Sequence, residues 1–354
     1  MKVSLLDLRA QHAATAEAVE SAVRRVLESG HYILGEDVAA LERELAADVG
    51  LPHAVGVSSG TDALLASLWA LGVGPGDEVV TTALSFFATA GAIARLGAKA
   101  VFADIEPHSL NLDAGSALDR VTARTRAIIP VHLFGRPAEV APLAQAGLPI
   151  VEDAAQALGC PGLGRVGRLV TLSFFPSKNL GAAGDAGMVL TADAELADRV
   201  RLLRAHGSRP KYVHHVVGGN FRLDTLQAAI LRAKRPFLVE WNARRRTNAG
   251  RYRELLAKTP LILPEDTPGH VWHHFVVRAP KRDELRAHLQ QREIETEVYY
   301  PRPLHLQPCF SGYREGDLPE AEKACREVLA LPVHPQLDEA QLAHVASAIE
   351  EFYG

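Results

Sequence analysis

The sequence has few of the features that mark secreted, membrane-spanning or nucleic-acid-binding proteins. Its three cysteines, Cys160, Cys309 and Cys325, lack close paired spacing, which argues against a disulfide framework or a zinc site and fits a reducing compartment. No run approaches the roughly 18 apolar residues of a membrane span, and the N-terminal residues lack a stretch of signal-peptide type. The net charge of −4 provides no basic excess for nucleic acid or an acidic membrane surface. We therefore expect a soluble, cytoplasmic protein that binds neither nucleic acid nor membrane.

What the chain does contain is an alternation of short apolar runs and helical segments in its first half. With 354 residues and 47% apolar content, it can fill one large core and a smaller one. The alternation predicts an α/β fold with a mostly parallel sheet covered on both faces. The last two runs follow each other too closely for an intervening helix, which predicts a change of strand direction. The predicted strands are Ala54–Ser58, Glu78–Thr82, Lys99–Ala103, Ala127–Val131, Pro149–Val151, Leu169–Ser173 and Met188–Thr191, and the helices between the earlier ones include Asp62–Leu71 and Phe87–Leu96.

A long helical stretch follows the sheet region, from Asp224 to about Lys258. Pro236 lies inside this stretch and is expected to kink or divide it, because proline removes a helix hydrogen bond and clashes with the preceding turn. The basic run Arg244-Arg245-Arg246 in the same stretch is interpreted as a solvated helix face. The stretch therefore leads from the sheet region into the C-terminal part without a predicted nucleic-acid contact.

The C-terminal part is predicted to form a smaller α+β domain. We place a large domain at residues 1–240 and the small domain at 241–354. The N-terminal helix, Ala13–Ser29, could pack on either domain. The elements predicted for the small domain are strand Val271–Arg278, helix Asp283–Arg292, strand Glu295–Tyr299 and helix Asp338–Phe352.

Two short runs, about two dozen residues apart, carry the strongest chemical signal. In Val151-Glu152-Asp153-Ala154-Ala155-Gln156 an acid closes an apolar strand, and in Ser173-Phe174-Phe175-Pro176-Ser177-Lys178 a lysine follows a serine turn. A pyridoxal phosphate (PLP) enzyme requires a lysine amine that forms a Schiff base with the cofactor and a carboxylate that keeps the ring nitrogen protonated. Taken singly, Asp153 could cap a turn and Lys178 could be a surface lysine. Their occurrence together with the motifs below favours the PLP interpretation.

The run Ser58-Ser59-Gly60-Thr61-Asp62-Ala63-Leu64 joins the first predicted strand to a helix. Small residues let the backbone approach an anion, and a helix N-terminus offers free N–H groups. Gly60 and Thr61 are therefore candidates for binding the cofactor phosphate. Ser173 and Ser177 could add hydroxyl donors to the same phosphate. The alternative for the first run is an ordinary helix start with Ser or Thr as its N-cap.

Two further side chains are candidates for contacts with the cofactor ring. Phe86, in the run Leu84-Ser85-Phe86-Phe87-Ala88-Thr89, could stack on the pyridine face, although both phenylalanines could instead belong to the core. Gln156 lies three residues after Asp153 and could bond the 3′-oxygen of the ring, the alternative being a plain turn glutamine. Asn220, Arg222 and His305 lie in polar runs that carry only a weak signal by themselves, and His305 could be an interface or packing residue.

These runs, in this order, resemble the DegT/DnrJ/EryC1/StrS family of PLP-dependent aminotransferases that act on nucleotide-linked keto sugars. The resemblance covers nearly the whole chain. One departure is Thr82-Ala83, where the family commonly has Pro-Ser before the aromatic residue. The resemblance to the family is carried by the runs Gly30–Gly35, Gly60–Leu64, Glu152–Gln156, Ser173–Gly181, Asn220–Asp224, Pro303–Gln307 and Leu331–Pro335.

The resemblance implies a fold-type-I PLP-dependent transferase, similar to aspartate aminotransferase, and a symmetric homodimer with shared active sites. It implies that Lys178 forms the Schiff base with PLP and that Asn220 reaches the cofactor phosphate from the neighbouring subunit. Tyr32, Arg222 and His305 are candidate substrate contacts. The other implied cofactor contacts are Gly60, Thr61, Phe86, Asp153, Gln156 and Ser173.

The implied reaction is a ping-pong transfer of an amino group from L-glutamate to a nucleotide-linked keto sugar. The segment Lys211-Tyr212-Val213-His214-His215, with Phe221-Arg222-Leu223 after it, resembles the branch that aminates UDP- or dTDP-linked 3-keto sugars. In the 4-keto branch, Tyr-Arg-Met is more usual at the latter place, and a 4-keto substrate is the alternative. Related sugar dehydratases carry histidine where this chain has Lys178, and a PLP-binding regulator without catalysis is the remaining alternative.

Overall fold

Seven strands form one mixed sheet in the computed structural model, which describes residues 1–313 and 316–354. Each strand is short and almost entirely buried, as expected for a sheet covered on both faces. The strands are β1 His53–Val57, β2 Glu78–Thr82, β3 Lys99–Ala103, β4 Thr125–Ile129, β5 Val151–Asp153, β6 Leu169–Ser173 and β7 Gly187–Thr191.

The order across the sheet is β3-β2-β4-β5-β6-β7-β1. Hydrogen-bonded ladders join β3, β2 and β4 on one side and β5, β6, β7 and β1 on the other. Isolated parallel bridges, Ile128 with Ile150 and Val131 with Asp153, connect the two halves between β4 and β5. Only β7 runs antiparallel to its neighbours among these strands. The parallel strands therefore end at a common edge, to which their following loops belong.

Helices cover both faces of this sheet. On one face α3, an apolar helix, packs against β6 and β7 and belongs to the largest buried cluster. On the other face α2 contributes Val38, Leu41 and Leu45 to a cluster with β6 and β7 side chains. The helices of this region are α1 Leu8–Ser29, α2 Glu36–Val49, α3 Gly60–Ala70, α4 Ala88–Arg95, α5 Ala114–Leu118 and α6 Ala194–Leu203.

Two helices, α7 Thr225–Lys234 and α8 Leu238–Leu255, lead to the C-terminal region, with a 3₁₀ turn at Arg235–Phe237 between them. The sequence-predicted boundary between residues 240 and 241 falls in the first turn of α8. The N-terminal helix α1 packs against α7. The remaining elements are β8 Phe275–Arg278, α9 Arg282–Gln291, α10 Pro319–Glu327, β9 Val328–Leu331 and α11 Glu339–Tyr353, and β8 pairs with β9 in antiparallel fashion.

Two sequence predictions are confirmed by these elements. The two strands that follow each other closely, β6 and β7, do pair with reversed direction. Pro236 does divide the helical stretch. None of the helices in residues 1–313 and 316–354 has the length and apolar content needed to cross a membrane.

The prediction of a strand at Glu295–Tyr299 is wrong. This segment makes one isolated bridge, Glu297 with Ala330, because the partner of β8 is β9, a strand the sequence analysis did not anticipate. The strand predicted over Val271–Arg278 is confined to its last four residues. The backbone N–H groups of Val271 and His274 bond instead to carbonyls at Gly135 and Phe134, and this ties the segment to the large sheet region.

Candidate active site

The candidate site lies at the common edge where β1, β2, β5 and β6 end. The loop after β1 starts α3, the loop after β2 carries Phe86 into α4, Asp153 is the last residue of β5, and Ser173 is the last residue of β6. In open α/β sheets the loops at this edge form the ligand crevice. Sheet topology therefore brings together residues that lie more than a hundred positions apart in sequence.

The N-terminus of α3 forms a cradle for an anion. Ser59 caps the helix by accepting a hydrogen bond from the Asp62 N–H at 3.0 Å. Among the described residues, the N–H groups of Gly60 and Thr61 have no hydrogen-bond partner, and both lie in the first turn, where the helix dipole favours negative charge. A Cβ added at Gly60 would meet the Ser173 Cβ at 2.6 Å. Glycine is therefore required for the helix start to lie against Ser173.

Replacing Gly60 with alanine is expected to damage the cradle, because neither the strand end nor the helix start can move far inside a close-packed sheet. We expect affinity for inorganic phosphate or PLP to fall by at least about tenfold, with destabilisation of about 1–3 kcal/mol from overpacking. Fluorescence titration and urea unfolding measure the two effects. Gly74→Ala is the matched control, because nothing lies within 4 Å of the added carbon there. Wild-type affinity in Gly60→Ala would contradict the cradle.

Asp153 is 4% exposed and lies at the centre of this edge. Its carboxylate accepts a hydrogen bond from the Thr89 hydroxyl at 2.8 Å and another from the Ala155 N–H at 3.2 Å. Burial raises the pKa of Asp153 above its ordinary value, while these hydrogen bonds and the positive charge of Lys178 lower it. A buried carboxylate of this kind favours a cationic partner that restores its charge balance.

Lys178 is half-buried in a tight turn after β6. Its backbone N–H bonds to the Phe175 carbonyl at 2.8 Å, and the turn closes where Ala182 bonds back to Phe174. Burial lowers the pKa of the Lys178 amine to about 8, against the opposing effect of Asp153. Within the described residues no side-chain hydrogen bond of this amine is found. It is therefore a partly neutral, unrestrained nucleophile near a carboxylate.

The residue after the lysine anchors this turn to the C-terminal region, a feature that sequence reasoning missed. The Asn179 side-chain amide donates to Asn242 at 2.7 Å and to the Val271 carbonyl at 3.0 Å. The oxygen of the same side chain accepts from Nδ1 of His273 at 3.0 Å. Burial holds the pKa of His273 well below its usual value, so the ring stays neutral. The anchor therefore places no additional cation beside Lys178.

Both the oxygen and the nitrogen of the Gln156 side-chain amide make hydrogen bonds that fix its orientation. The oxygen accepts from the Phe134 N–H at 2.6 Å, and the nitrogen donates to the Tyr300 hydroxyl at 3.3 Å. One of the two amide protons remains for a further acceptor. Burial raises the pKa of Tyr300, so it is a neutral phenol. Sequence reasoning did not select Tyr300, which comes to the site from the C-terminal region.

Of the two adjacent phenylalanines, Phe86 has the freer side chain. Phe87 stacks on Phe310 with ring centroids 5.6 Å apart, whereas Phe86 is 58% exposed and lies 6.3 Å from Tyr300 between centroids. Both line an open cleft of about 430 Å³ next to the anion cradle, where Thr61 also contributes. Thus the cleft connects the cradle to the loop that carries Phe86 and Phe87 between β2 and α4, the aromatic loop.

The remaining candidates lie in the segment that bridges to the end of β1, in the lysine turn and near the start of α7. Asn220 is exposed, and its neighbour Phe221 accepts a backbone hydrogen bond from Ser58 at 2.9 Å. Arg222 pairs with Val57 at the end of β1, and its Nε has no hydrogen-bond partner among the described residues. Tyr32 is 45% exposed near the start of α7. Ser177 is half-buried in the lysine turn.

His305 has a different environment from the other candidates. It is 2% exposed, and its Nε2 lies 3.2 Å from Glu322 on α10. Its ring also lies against Phe102 of β3, with centroids 6.4 Å apart. A side chain enclosed by two core elements favours the packing alternative over the substrate contact that the sequence suggested.

An anion cradle, a buried carboxylate and a lysine of lowered pKa, set at the carboxyl edge of this mixed sheet, define the chain as a fold-type-I PLP-dependent enzyme. It belongs to the DegT/DnrJ/EryC1/StrS aminotransferase family, whose model matches residues 14–350. The fold class and the cofactor expected from the sequence are thereby confirmed.

Individual relatives extend over the whole chain. The chain is 49% identical to the pleiotropic regulatory protein of Geobacillus stearothermophilus, with 100% of this chain and 99% of the relative covered. It is 45% identical to the dTDP-3-amino-3,4,6-trideoxy-alpha-D-glucose transaminase of Streptomyces venezuelae, with 99% and 96% covered. Among solved structures, NtdA from Bacillus subtilis with bound cofactor PMP superposes with a TM-score of 0.95 at 32% identity, covering 99% of this chain and 85% of that one.

Proposed function

We propose that this aminotransferase moves an amino group from L-glutamate to the keto carbon at position 3 of a nucleotide-linked sugar, in two half-reactions that share one site. The observation that carries the proposal is the lysine of lowered pKa beside the buried Asp153, at the edge of an anion cradle. The Streptomyces venezuelae relative, whose name specifies a 3-amino sugar, supports the position of the keto group.

When bound, PLP supplies an aldehyde that accepts and returns the amino group and a ring that accepts electrons as a C–H bond breaks. Lys178 would hold the cofactor through Nζ, and the same amine would take up and return the proton that moves during the transfer. Because its pKa is about 8, a useful fraction of the amine is neutral near pH 7 and can take up that proton.

Asp153 and the cradle hold the two ends of the cofactor. The Asp153 carboxylate would receive the ring N–H, and this contact balances the charge that burial makes costly. The N–H groups of Gly60 and Thr61, together with the Ser173 hydroxyl, would bind the phosphate, and the free amide proton of Gln156 would reach the ring oxygen. Phe86 would cover one ring face, since Phe87 is engaged with Phe310.

The test is the visible absorption of the PLP-loaded protein, followed through both half-reactions. We expect the band to disappear with L-glutamate and to return with a 3-keto nucleotide sugar. D-Glutamate, which presents its Cα–H bond from the opposite side, is the control. dTDP- and UDP-linked sugars are compared in parallel to define the nucleotide. Return of the band only with a 4-keto sugar would retain the aminotransferase and overturn the position assigned to the keto group.

A PLP-binding regulator without catalysis is the second candidate, because the Geobacillus stearothermophilus relative is named a regulatory protein. This candidate needs the cofactor but no proton transfer. A band that is indifferent to a panel of L-amino acids, including glutamate, would favour the regulator. The lowered pKa of Lys178 is compatible with both candidates, because attachment of PLP itself needs a neutral amine, so the response of the band to amino acids decides between them.

We further propose that the chain acts in the cytoplasm as a homodimer with shared sites. Several exposed apolar side chains lie in the segments that carry the candidate site residues, and we propose that a second copy covers them. The most exposed are Tyr212 at 79% and Val217 at 81%, both in the segment that precedes Asn220. The other members are Tyr32, Ile33, Leu34, Phe86, Phe87, Phe175, Val213 and Val216.

Subunit mixing tests the proposed contribution of Asn220 from the partner. Asn220→Asp places a negative charge where the phosphate would lie, and Lys178→Ala removes the amine, so each variant alone is expected to be inactive. After unfolding and refolding together, half of the dimers are mixed and one of their two sites is intact, which predicts about a quarter of wild-type activity. Activity that stays at the level of the separate variants contradicts the shared site.

A further inference from the structure

Two hydroxyl side chains on the aromatic loop form a chain of hydrogen bonds that ends on Asp153. The Ser85 Oγ lies 2.8 Å from the Thr89 Oγ1, which in turn lies 2.8 Å from the Asp153 Oδ2. Ser85 is 4% exposed and Thr89 is 1% exposed, so water does not compete for these bonds. Neither side chain has a role in the reaction as described so far.

The direction of the chain follows from counting protons. A threonine hydroxyl has one proton, and an ionised carboxylate can only accept, so Thr89 donates to Asp153. The Thr89 oxygen must then accept from Ser85. Each donor in such a chain polarises the next, and the last bond, which ends on a charge, is the strongest.

The position of Thr89 gives this chain a mechanical role. Thr89 lies in the first turn of α4, whose N-terminal neighbours are Phe86 and Phe87. The hydrogen bond to Asp153 spans 64 residues of sequence and joins this turn to the end of β5. It therefore fixes the aromatic loop and the carboxylate relative to each other.

We propose that Thr89, supported by Ser85, is a positioning residue that holds the Asp153 carboxylate aligned and ionised, so that it could receive the N–H of the cofactor ring. This inference rests on the proposed function, in which Asp153 receives the ring N–H. The other charged or titratable groups that face Asp153 are Lys178 from the turn after β6, His132 from the loop after β4 and Tyr300 from the C-terminal region. Only Thr89 and the Ala155 N–H donate hydrogen bonds to the carboxylate among the described residues.

The experiment compares Thr89→Val, which keeps the shape and removes the hydroxyl, with Thr89→Ser, which keeps the hydroxyl. Full-length protein labelled with ¹³C at aspartate carboxyls is titrated by NMR without cofactor, and Asp153→Asn assigns the Asp153 signal. The dissociation constant of PLP is measured by fluorescence. Loss of a hydrogen bond to a charged group predicts about a tenfold or greater rise in that constant for Thr89→Val. The Asp153 signal should titrate at higher pH, and Thr89→Ser should restore both values.

Ser85→Ala gives a second, milder test, since it leaves the bond from Thr89 to Asp153 in place. It should shift both readouts in the same direction by a smaller amount, and it carries the test if Thr89→Val does not fold. The inference would be overturned if Asp153 titrated at the wild-type pH, and PLP bound with wild-type affinity, in both Thr89→Val and Ser85→Ala. If instead Asp153→Asn binds PLP with wild-type affinity and an unchanged spectrum, the proposed role of Asp153 fails rather than that of Thr89.

Discussion

Lys178→Ala is expected to abolish transamination while the protein still binds pyridoxamine phosphate. The variant loses both the nucleophile and the base at Nζ, and loss of a positioned base alone costs about 10²- to 10⁴-fold in rate. We therefore expect turnover at least about 10⁴-fold below wild type in a coupled assay for 2-oxoglutarate. Binding of pyridoxamine phosphate should persist because the cradle and Asp153 remain.

Two further variants separate the chemistry of Lys178 from its charge. Lys178→Arg keeps a cation near Asp153 but cannot become neutral at ordinary pH, so it should be as inactive as the alanine variant. Lys258→Ala removes an exposed lysine just beyond α8 and should leave turnover unchanged. Full turnover by Lys178→Ala would refute the mechanism.

Asp153→Asn is expected to lower kcat by about 10²- to 10³-fold, the usual cost of losing one electrostatic contact to the reacting group. The amide has the same shape as the carboxylate but cannot balance a protonated ring nitrogen. Stopped-flow measurement of the first half-reaction with L-glutamate isolates this step. Asp119→Asn, at an exposed position, is the control for removal of a negative charge.

Although Asp153→Asn lowers kcat, it should raise the stability of the cofactor-free protein as pH rises. Because burial raises the pKa of Asp153, the folded chain holds this proton more tightly than the unfolded chain does. The stabilising contribution is complete below the ordinary aspartate pKa and is lost as pH rises through the raised value. Urea unfolding across that range should show Asp153→Asn gaining stability relative to wild type as pH rises. If the difference in unfolding free energy between Asp153→Asn and wild type did not change with pH, the raised pKa of Asp153 would be contradicted.

The large sheet was predictable because its strands are buried on both faces and therefore appear in the sequence as continuous apolar runs. The sequence points to Lys178 and Asp153 because their chemistry coincides with a strand end, for Asp153, and the turn after a strand, for Lys178. In the C-terminal region, β9 is the aliphatic run Val328–Leu331, whereas residues 295–299 include two glutamates and a threonine. Which of them pairs with β8 depends on contacts that no local pattern contains.

Residues that act through another side chain were not predictable in the same way. Thr89, Tyr300 and His273 are ordinary residues until folding brings them to Asp153, Gln156 and Asn179. Their partners are between 64 and 144 positions away in the chain. His305 illustrates the converse, because a motif residue that the sequence made a candidate for substrate contact is enclosed by core elements.

The antiparallel strand β7 has a consequence for synthesis on the ribosome. It pairs with β1 and β6, and the start of β7 lies so close to Ser59 that a Cβ on Gly187 would meet the Ser59 carbonyl at 2.3 Å. A nascent chain that ends before Gly187 therefore has the glycine and serines of the cradle but not the strand that seats them. We therefore expect cofactor binding to begin only after residues up to β7 have left the exit tunnel, and a product truncated before Gly187 to bind PLP weakly.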